Sequence, residues 1–111
     1  MMKYMAKLHF FYSTMNAGKS TALLQSNHNY KESNLKTILF LPKDIAVKSN
    51  NKIVSRIGLE AEAISINRDF NFFKYIKDMN HDDISCVFVD EVQFLEKNQI
   101  QQLSKVADEL N

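Results

Sequence analysis

The residues most able to do chemistry lie near the amino terminus, where an apolar run opens into small residues and then Gly18-Lys19-Ser20-Thr21. This order of residue types is typical of a phosphate-binding loop, in which backbone N–H groups surround an anion and the positive end of a helix faces it. Gly18 would let the backbone approach the phosphate oxygens, and Lys19 would place a cation on the β- and γ-phosphates. The Ser20 hydroxyl would ligate the Mg²⁺ that accompanies the nucleotide.

The run departs from the general pattern G-x-x-x-x-G-K-[ST] at its first position, where Ser13 replaces glycine. Gly-Lys-Ser alone is also compatible with an ordinary solvated helix start, so the tripeptide by itself is a weak signal. Here an apolar strand candidate precedes it and a segment without Gly or Pro follows it, which is the context that a phosphate loop requires. We therefore predict that residues 13–20 bind phosphate.

A second polar cluster follows another apolar strand candidate, Ile84 to Val89, which leads directly into Asp90-Glu91. The Asp90 carboxylate could hold the hydration shell of Mg²⁺ opposite Ser20, although a carboxylate in this place is commonly just a helix cap. Glu91 could act as general base toward an attacking hydroxyl or water, or it could be a solvated surface residue. The presence of the phosphate-loop pattern favours the functional interpretation.

The amino-terminal elements are predicted from the runs around the phosphate loop. Leu8 to Tyr12 is almost continuously apolar, which predicts a central strand buried on both faces. A helix is predicted from Lys19 to about Tyr30, and Asn34 would follow its end. The inner face of that helix is predicted to carry Ala22, Leu23 and Leu24.

The middle of the chain contains one clear strand candidate and one long loop candidate. Thr37 to Leu41 is a short apolar run, and Pro42 would end it because proline lacks a backbone donor. Lys43 to Gly58 has little periodicity and contains Ser49-Asn50-Asn51, which predicts a mobile loop. Loops of this length in compact domains are often functional.

The following segment predicts a third strand and a helix. The strand would run from Ala63 to Ile66, and Asp69 would cap a helix that runs to Asn80. The residues predicted to be buried by that helix are Phe72, Phe73, Ile76 and Met79. We interpret this aromatic cluster as core packing.

A last amphipathic helix is predicted from about Lys97. Its apolar positions, near helical spacing, are Ile100, Leu103, Val106, Ala107 and Leu110. Because strand candidates alternate with helix candidates, the sequence predicts an α/β fold with a parallel sheet, in which ligands bind beyond the carboxyl ends of the strands. Both polar clusters would lie at that edge of the sheet.

Composition describes one globular domain and excludes several kinds of partner. The chain has 111 residues, 45% of them hydrophobic, and a formal net charge of +1 without a basic cluster, which argues against a nucleic-acid or membrane partner. Cys86 is the sole cysteine, so neither a disulfide nor a zinc site built on several cysteines is possible in this sequence. The amino terminus lacks a signal-peptide pattern, and we expect a cytoplasmic protein.

Three segments resemble successive signatures of the type II thymidine kinases, the zinc-bearing and tetrameric family. They are Tyr12 to Thr21, Ser55-Arg56-Ile57-Gly58-Leu59, and Val89-Asp90-Glu91-Val92-Gln93-Phe94-Leu95. The form Ser-x-Met-Asn-Ala-Gly-Lys-Ser resembles the bacterial branch, which has serine where the general phosphate loop has glycine. The resemblance covers essentially the whole chain, and the string Asp-Glu-x-Gln-Phe is more specific than the phosphate loop.

This resemblance implies transfer of the γ-phosphoryl group of ATP, with Mg²⁺, to the 5′-hydroxyl of thymidine. Glu91 matches the proton acceptor of the family, and Arg56 matches an arginine near the transferring phosphoryl group, where it would stabilise developing charge. Met15 and Phe94 match positions that wall the thymine pocket, although either could simply be a core residue. The residues matching nucleotide-binding segments are Ser13, Thr14, Met15, Asn16, Ala17, Gly18, Lys19, Ser20, Asp90, Glu91, Val92 and Gln93.

The resemblance also implies a P-loop NTPase-type, RecA-like parallel sheet that is incomplete at the carboxyl terminus here. Family members continue with further strands, a structural zinc site and a lasso-like loop around thymidine, and they are typically tetramers. We expect residues 1–111 to be the amino-terminal portion of such an enzyme. A further strand would separate Leu8–Tyr12 from Ile84–Val89, so the chain alone is expected to fold poorly and to be inactive.

Two other functions are compatible with the same residues. An Asp-Glu pair after a strand is also where phosphate-loop hydrolases activate water, and ATP consumption that depends on thymidine would separate a kinase from such a hydrolase. The short length of the chain favours a catalytically silent nucleotide-binding or interaction module. Nucleotide binding without turnover would favour that alternative.

Overall fold

A parallel sheet forms the centre of the protein in the computed structural model, which describes residues 9–12, 17–48, 50–55, 58–79 and 84–109. The strands are β1 (His9–Tyr12), β2 (Lys36–Pro42), β3 (Lys52–Val54), β4 (Glu60–Glu62), β5 (Ile64–Ile66) and β6 (Ile84–Val89). The helices are α1 (Ala17–Glu32), α2 (Lys43–Lys48), α3 (Phe72–Asp78) and α4 (Lys97–Glu109), with a short 3-10 helix at Val92–Phe94. None of the helices in these ranges is long and apolar enough to cross a membrane.

The main sheet has the order β1-β6-β2-β5, and every neighbouring pair in it is parallel. The register places Val89 of β6 between Tyr12 of β1 and Phe40 of β2. The carboxyl ends of these three strands therefore lie side by side. This arrangement confirms the predicted α/β class with a parallel sheet flanked by helices.

Side chains of the two inner strands point alternately into two separate cores. On β6, Val87 and Val89 belong to the core that also contains residues of α3 and α4, whereas Cys86 and Phe88 belong to the core that contains residues of α1. Strand β2 alternates in the same way. Burial on both faces explains why these strands are continuous apolar runs in the sequence, and it confirms the predictions for 37–41 and 84–89.

Strand β1 is not the central, doubly buried strand that the sequence predicts. It is an edge strand among the described residues, His9 is exposed, and the Tyr12 side chain is 46% exposed. It pairs directly with β6, with His9 opposite Cys86. The prediction of a further strand between β1 and β6, and of unpaired backbone groups there, is therefore wrong for this structure, because the two strands satisfy each other's hydrogen bonds.

Helix α1 confirms the helix predicted from Lys19 to about Tyr30. Leu23 and Leu24 are buried, but Ala22 is exposed and the prediction for that residue is wrong. The helix ends at Glu32, and Asn34 adopts a left-handed conformation with φ of 60°. Asn34 tolerates this conformation better than most residues, which makes it a suitable residue to follow a helix end.

Lys43 to Gly58 is structured over most of its described length, so the loop prediction for it is wrong. Helix α2 occupies Lys43–Lys48, and β3 forms an antiparallel hairpin with β4. Ala46 and Ile53 are 0% and 1% exposed because both pack into the α1 core. These two buried residues are too far apart in the sequence to produce a recognisable hydrophobic periodicity.

The two carboxyl-terminal helices follow the predicted pattern with local errors. Asn71, not Asp69, caps α3, because the Asn71 Oδ1 accepts the Lys74 N–H at 2.9 Å. Phe72 and Ile76 are buried as predicted, and Phe73 and Met79 are partly buried. Asn80 lies outside the described residues.

Helix α4 begins at Lys97 as predicted, with Leu103 and Val106 buried and Ala107 partly buried. Ile100 is 49% exposed, and the polar Gln99 is buried in its place. The predicted inner face is thus wrong by one residue at the start of the helix. Leu110 lies outside the described residues.

Candidate active site

The two polar clusters of the sequence leave the sheet from neighbouring strands. Tyr12, the last residue of β1, pairs with Val89, the last residue of β6. The strands of a sheet lie about 4.8 Å apart, so the ends of β1 and β6 lie side by side at the edge of the sheet. Helix α1 then begins at Ala17, and its first turn contains Gly18, Lys19 and Ser20. Strand β1 and helix α1 thus stand in the order that the phosphate-loop prediction requires.

Several predicted site residues lie outside the part of the chain that the structure describes. They are Ser13, Thr14, Met15, Asn16 and Arg56. For Ala17 to Ser20 the structure describes the helical backbone. The roles assigned to the Lys19 and Ser20 side chains therefore remain predictions from the sequence.

Asp90 is held firmly at the carboxyl end of β6. It is 4% exposed, and its backbone N–H donates to the Phe40 carbonyl of β2 at 3.1 Å. Its Oδ1 accepts the backbone N–H of Glu91 at 3.0 Å. A carboxylate fixed in this way is an oxygen donor of the kind that Mg²⁺ prefers.

Glu91 has an unusual backbone conformation, with φ of 56° and ψ of 45° in the left-handed region. Residues other than glycine occupy this region at a cost, and functional sites are where such conformations concentrate. The Gln93 Nε2 donates to the Glu91 Oε1 at 3.4 Å. The carboxylate is therefore turned toward a neighbour on its own segment.

The surroundings of Glu91 raise the pKa of its carboxyl group above the ordinary value. Partial burial is the main cause, the Gln93 hydrogen bond lowers the pKa, and the nearby Asp90 carboxylate raises it. A glutamate with a raised pKa is a better proton acceptor at neutral pH than an ordinary surface glutamate. This property suits the predicted general base.

The short 3-10 helix after Glu91 presents Phe94 at the surface. The Phe94 N–H donates to the Glu91 carbonyl at 3.1 Å, and the Leu95 N–H donates to the Val92 carbonyl at 3.0 Å. The Phe94 side chain is 43% exposed, so it is not a core residue. Val92, by contrast, packs against the core that contains residues of α3 and α4.

Phe94 lines a cavity of about 300 Å³ beyond the carboxyl ends of β2 and β5. The cavity is bounded by Pro42, Lys43, Asp44, Ile66, Asn67, Arg68, Asp69, Phe94, Leu95 and Gln99. The sequence did not identify Lys43, Arg68 or Gln99 as site residues. Lys43 and Arg68 follow the ends of two strands, which is where ligands bind in parallel sheets. This position after a predicted strand is the signal by which the sequence could have identified them as site residues.

Comparison with known proteins identifies relatives over almost the whole chain. A family model described as thymidine kinase matches residues 6–111. The thymidine kinase of Coxiella burnetii is 51% identical over 109 residues, which are 96% of this chain and 56% of that protein. The thymidine kinase of Rhodopirellula baltica is 45% identical over 108 residues, 96% of this chain and 51% of that protein.

A third relative, the thymidine kinase of Haemophilus influenzae, is 45% identical over 107 residues, 96% of this chain and 55% of that protein. The chain thus spans about half the length of the curated relatives it matches. Together with the parallel sheet and the Asp90-Glu91 pair at its edge, the family match confirms the resemblance read from the sequence. The chain belongs to the thymidine kinase family.

Proposed function

We propose that this chain supplies the nucleotide-binding and proton-accepting part of an ATP-dependent thymidine kinase. The observation that carries the proposal is the position of Asp90-Glu91 directly after β6, beside the end of β1 from which the phosphate-loop sequence leaves. Family membership supports ATP as phosphoryl donor and thymidine as acceptor.

In the proposed reaction, Glu91 accepts the proton of the thymidine 5′-hydroxyl. The hydroxyl oxygen forms a bond to the γ-phosphorus while the bond from that phosphorus to the β,γ-bridging oxygen breaks, which releases ADP. Partial burial and the adjacent Asp90 carboxylate raise the Glu91 pKa, and the bond from Gln93 orients the carboxylate. Both effects suit a general base.

The remaining residues of this chain would hold the nucleotide. Backbone N–H groups of residues 13–20 would bind the phosphates, Lys19 would neutralise the β- and γ-phosphates, and Arg56 would stabilise charge on the transferring group. Ser20 and Asp90 would bind the nucleotide's Mg²⁺, the latter through its buried and hydrogen-bonded carboxylate. The metal ion, when bound, neutralises charge that develops on the phosphates.

The 300 Å³ cavity beside Phe94 is the proposed entrance of the acceptor nucleoside. Its volume is at the lower end of the range of ligand pockets. The exposed Phe94 ring offers an apolar surface for a pyrimidine base, and Met15 would contribute a second wall by the family resemblance. Lys43 and Arg68 at the margin offer donors to polar groups of the acceptor.

The test uses a chimera, termed the Coxiella chimera, in which residues 6–111 replace the matching part of the Coxiella burnetii thymidine kinase. We expect ADP formation that depends on thymidine. Glu91→Gln preserves the size of the side chain but removes the base, so turnover should fall by about 10²–10⁴-fold while ATP binding changes little. The matched control is Glu62→Gln, which alters an exposed glutamate of β4.

Each alternative function has its own outcome in this assay. ADP formation without thymidine would favour a hydrolase, and ATP binding without ADP formation would favour a silent module. Normal turnover in Glu91→Gln would reject the proton-acceptor role.

A further inference from the structure

Gln99 is a buried polar residue whose side chain makes three hydrogen bonds. It is 1% exposed, and its Oε1 accepts the backbone N–H of Glu96 at 2.9 Å. Its Nε2 donates to the backbone carbonyls of Asn67 at 2.8 Å and Phe70 at 3.1 Å. Both hydrogens of the amide and its carbonyl oxygen are therefore used.

These bonds join two segments that are distant in sequence. One is the start of α4, where Gln99 returns to the N–H of Glu96 as one half of a capping box. The other is the turn from Asn67 to Phe70 after β5, which is closed by the Phe70 N–H donating to the Asn67 carbonyl at 3.2 Å. The Gln99 amide fixes that turn to the beginning of the helix.

The joined segments complete a ring of contacts around the cavity beside Phe94. Strand β5 pairs with β2, whose Phe40 carbonyl accepts the Asp90 N–H. The chain then continues through Glu91 and the 3-10 helix to Glu96, whose N–H donates to Gln99. The segment from Glu91 to Leu95 is thus anchored by β2 before it and by Gln99 after it.

We propose that Gln99 is a positioning residue for the reaction. By anchoring the end of the Glu91–Leu95 segment, its amide keeps Glu91 in the left-handed conformation and fixes Phe94 at the edge of the cavity. This inference rests on the proposed function, because it assigns Gln99 to the orientation of the Glu91 carboxylate. A left-handed glutamate persists only where the surrounding structure over-determines it.

An amide is required because the position needs one acceptor and two donors in a buried place. Methionine has a similar length but supplies no N–H donor, so Gln99→Met would leave the Asn67 and Phe70 carbonyls and the Glu96 N–H without this partner. The matched control is Gln102→Met. Gln102 lies one turn later on α4, and its Oε1 accepts the Phe72 N–H at 2.9 Å, so it holds α3 rather than the segments around the cavity.

The experiment measures hydrogen exchange and kinetics for both variants in the Coxiella chimera, at a temperature where each is folded. In Gln99→Met we expect exchange of the Phe94 and Leu95 N–H groups to accelerate by about 5- to 150-fold, since one anchor of the 3-10 helix is lost. We expect kcat to fall by about 10²-fold with little change in KM for ATP. Gln102→Met should leave both quantities near those of the parent.

Unchanged exchange at Phe94 and Leu95 in Gln99→Met, or equal losses of kcat in the two variants, would overturn the inference. If Gln99→Met does not fold, Gln99→Asn replaces it, since it keeps an amide that is one methylene too short, and the same results are expected. An inactive parent chimera would reject the proposed kinase function instead. The exchange rates would still show whether Gln99 anchors the segment.

Discussion

The left-handed backbone of Glu91, with φ of 56°, leads to a prediction about stability. In this region the Cβ atom of an L-residue crowds the following carbonyl at a cost of about 1–2 kcal/mol, whereas glycine has no Cβ. Where the native φ and ψ suit both residues, a protein with alanine is more stable than one with glycine by about 0.4–1 kcal/mol. The reason is that glycine gives the unfolded chain more conformational entropy to lose on folding. We therefore expect Glu91→Gly to be more stable than Glu91→Ala by about 0.5–1 kcal/mol.

The comparison of Gly with Ala isolates the backbone because both variants lose the same carboxylate and the same bond to Gln93. Urea unfolding of the Coxiella chimera gives the free energy of unfolding of each variant. The control pair is Ser104→Gly and Ser104→Ala at an exposed position inside α4. There alanine should be the more stable by about 0.8–1 kcal/mol.

A Glu91→Ala variant as stable as Glu91→Gly, or more stable, would refute the account of backbone strain. If the account is correct, both variants should lack kinase activity, and Glu91→Gly should combine inactivity with the higher stability of the two. The strain would then be a cost that the protein bears for the placement of its proton acceptor.

Three further predictions concern the phosphate loop, a helix cap and the thiol. Lys19→Ala should weaken ATP binding much more than thymidine binding, and calorimetry that shows unchanged ATP affinity would reject the phosphate-loop assignment. Asn71→Ala should destabilise the protein by ~1 kcal/mol because the backbone N–H of Lys74 loses its side-chain acceptor at the start of α3. Asp69→Ala should change stability little in the same thermal melts. Burial raises the pKa of the Cys86 thiol to about 11, with the Tyr30 hydrogen bond acting in the opposite direction. The thiolate is then about one part in a thousand at pH 8, so iodoacetamide should label Cys86 rapidly only after denaturation, as followed by peptide mass mapping.

The sequence predicts correctly the elements whose residues are buried on both faces and paired with neighbouring strands. Strand β6 is buried on both faces and paired on both edges, so nearly every position must be apolar and its bounds match the predicted run. The hairpin of β3 and β4 fails for the opposite reason. It lies outside the main sheet, and its short strands bury few residues, so no run or alternation is long enough to be recognised.

One error in the helices arises where a polar side chain occupies a buried position that was predicted to be apolar. At the start of α4 the amide of Gln99 occupies the buried position while Ile100 faces solvent, because three backbone groups need partners there. The turn from Asn67 to Phe70 that Gln99 binds is distant in sequence, so the fold is needed to show why this amide is buried. Asn71 and Asp69 are both acceptable caps by residue type, and the start of α3 decides between them.

The pairing of β1 with β6 also bears on the order in which the protein folds. These strands are neighbours in the sheet but lie near opposite ends of the chain, so their pairing closes the longest loop among the described strands, and such contacts form at high entropic cost. Among the described strands, β1 is paired on one edge, whereas β6 is paired on both, and we expect β1 to dock after β2, β5 and β6 have assembled. The phosphate-loop sequence follows β1 directly. ATP would therefore bind only after β1 has docked onto the sheet, which is the last folding step. Bound ATP should accordingly slow unfolding with little effect on the folding rate, and stopped-flow measurements in which ATP accelerates folding would contradict this order.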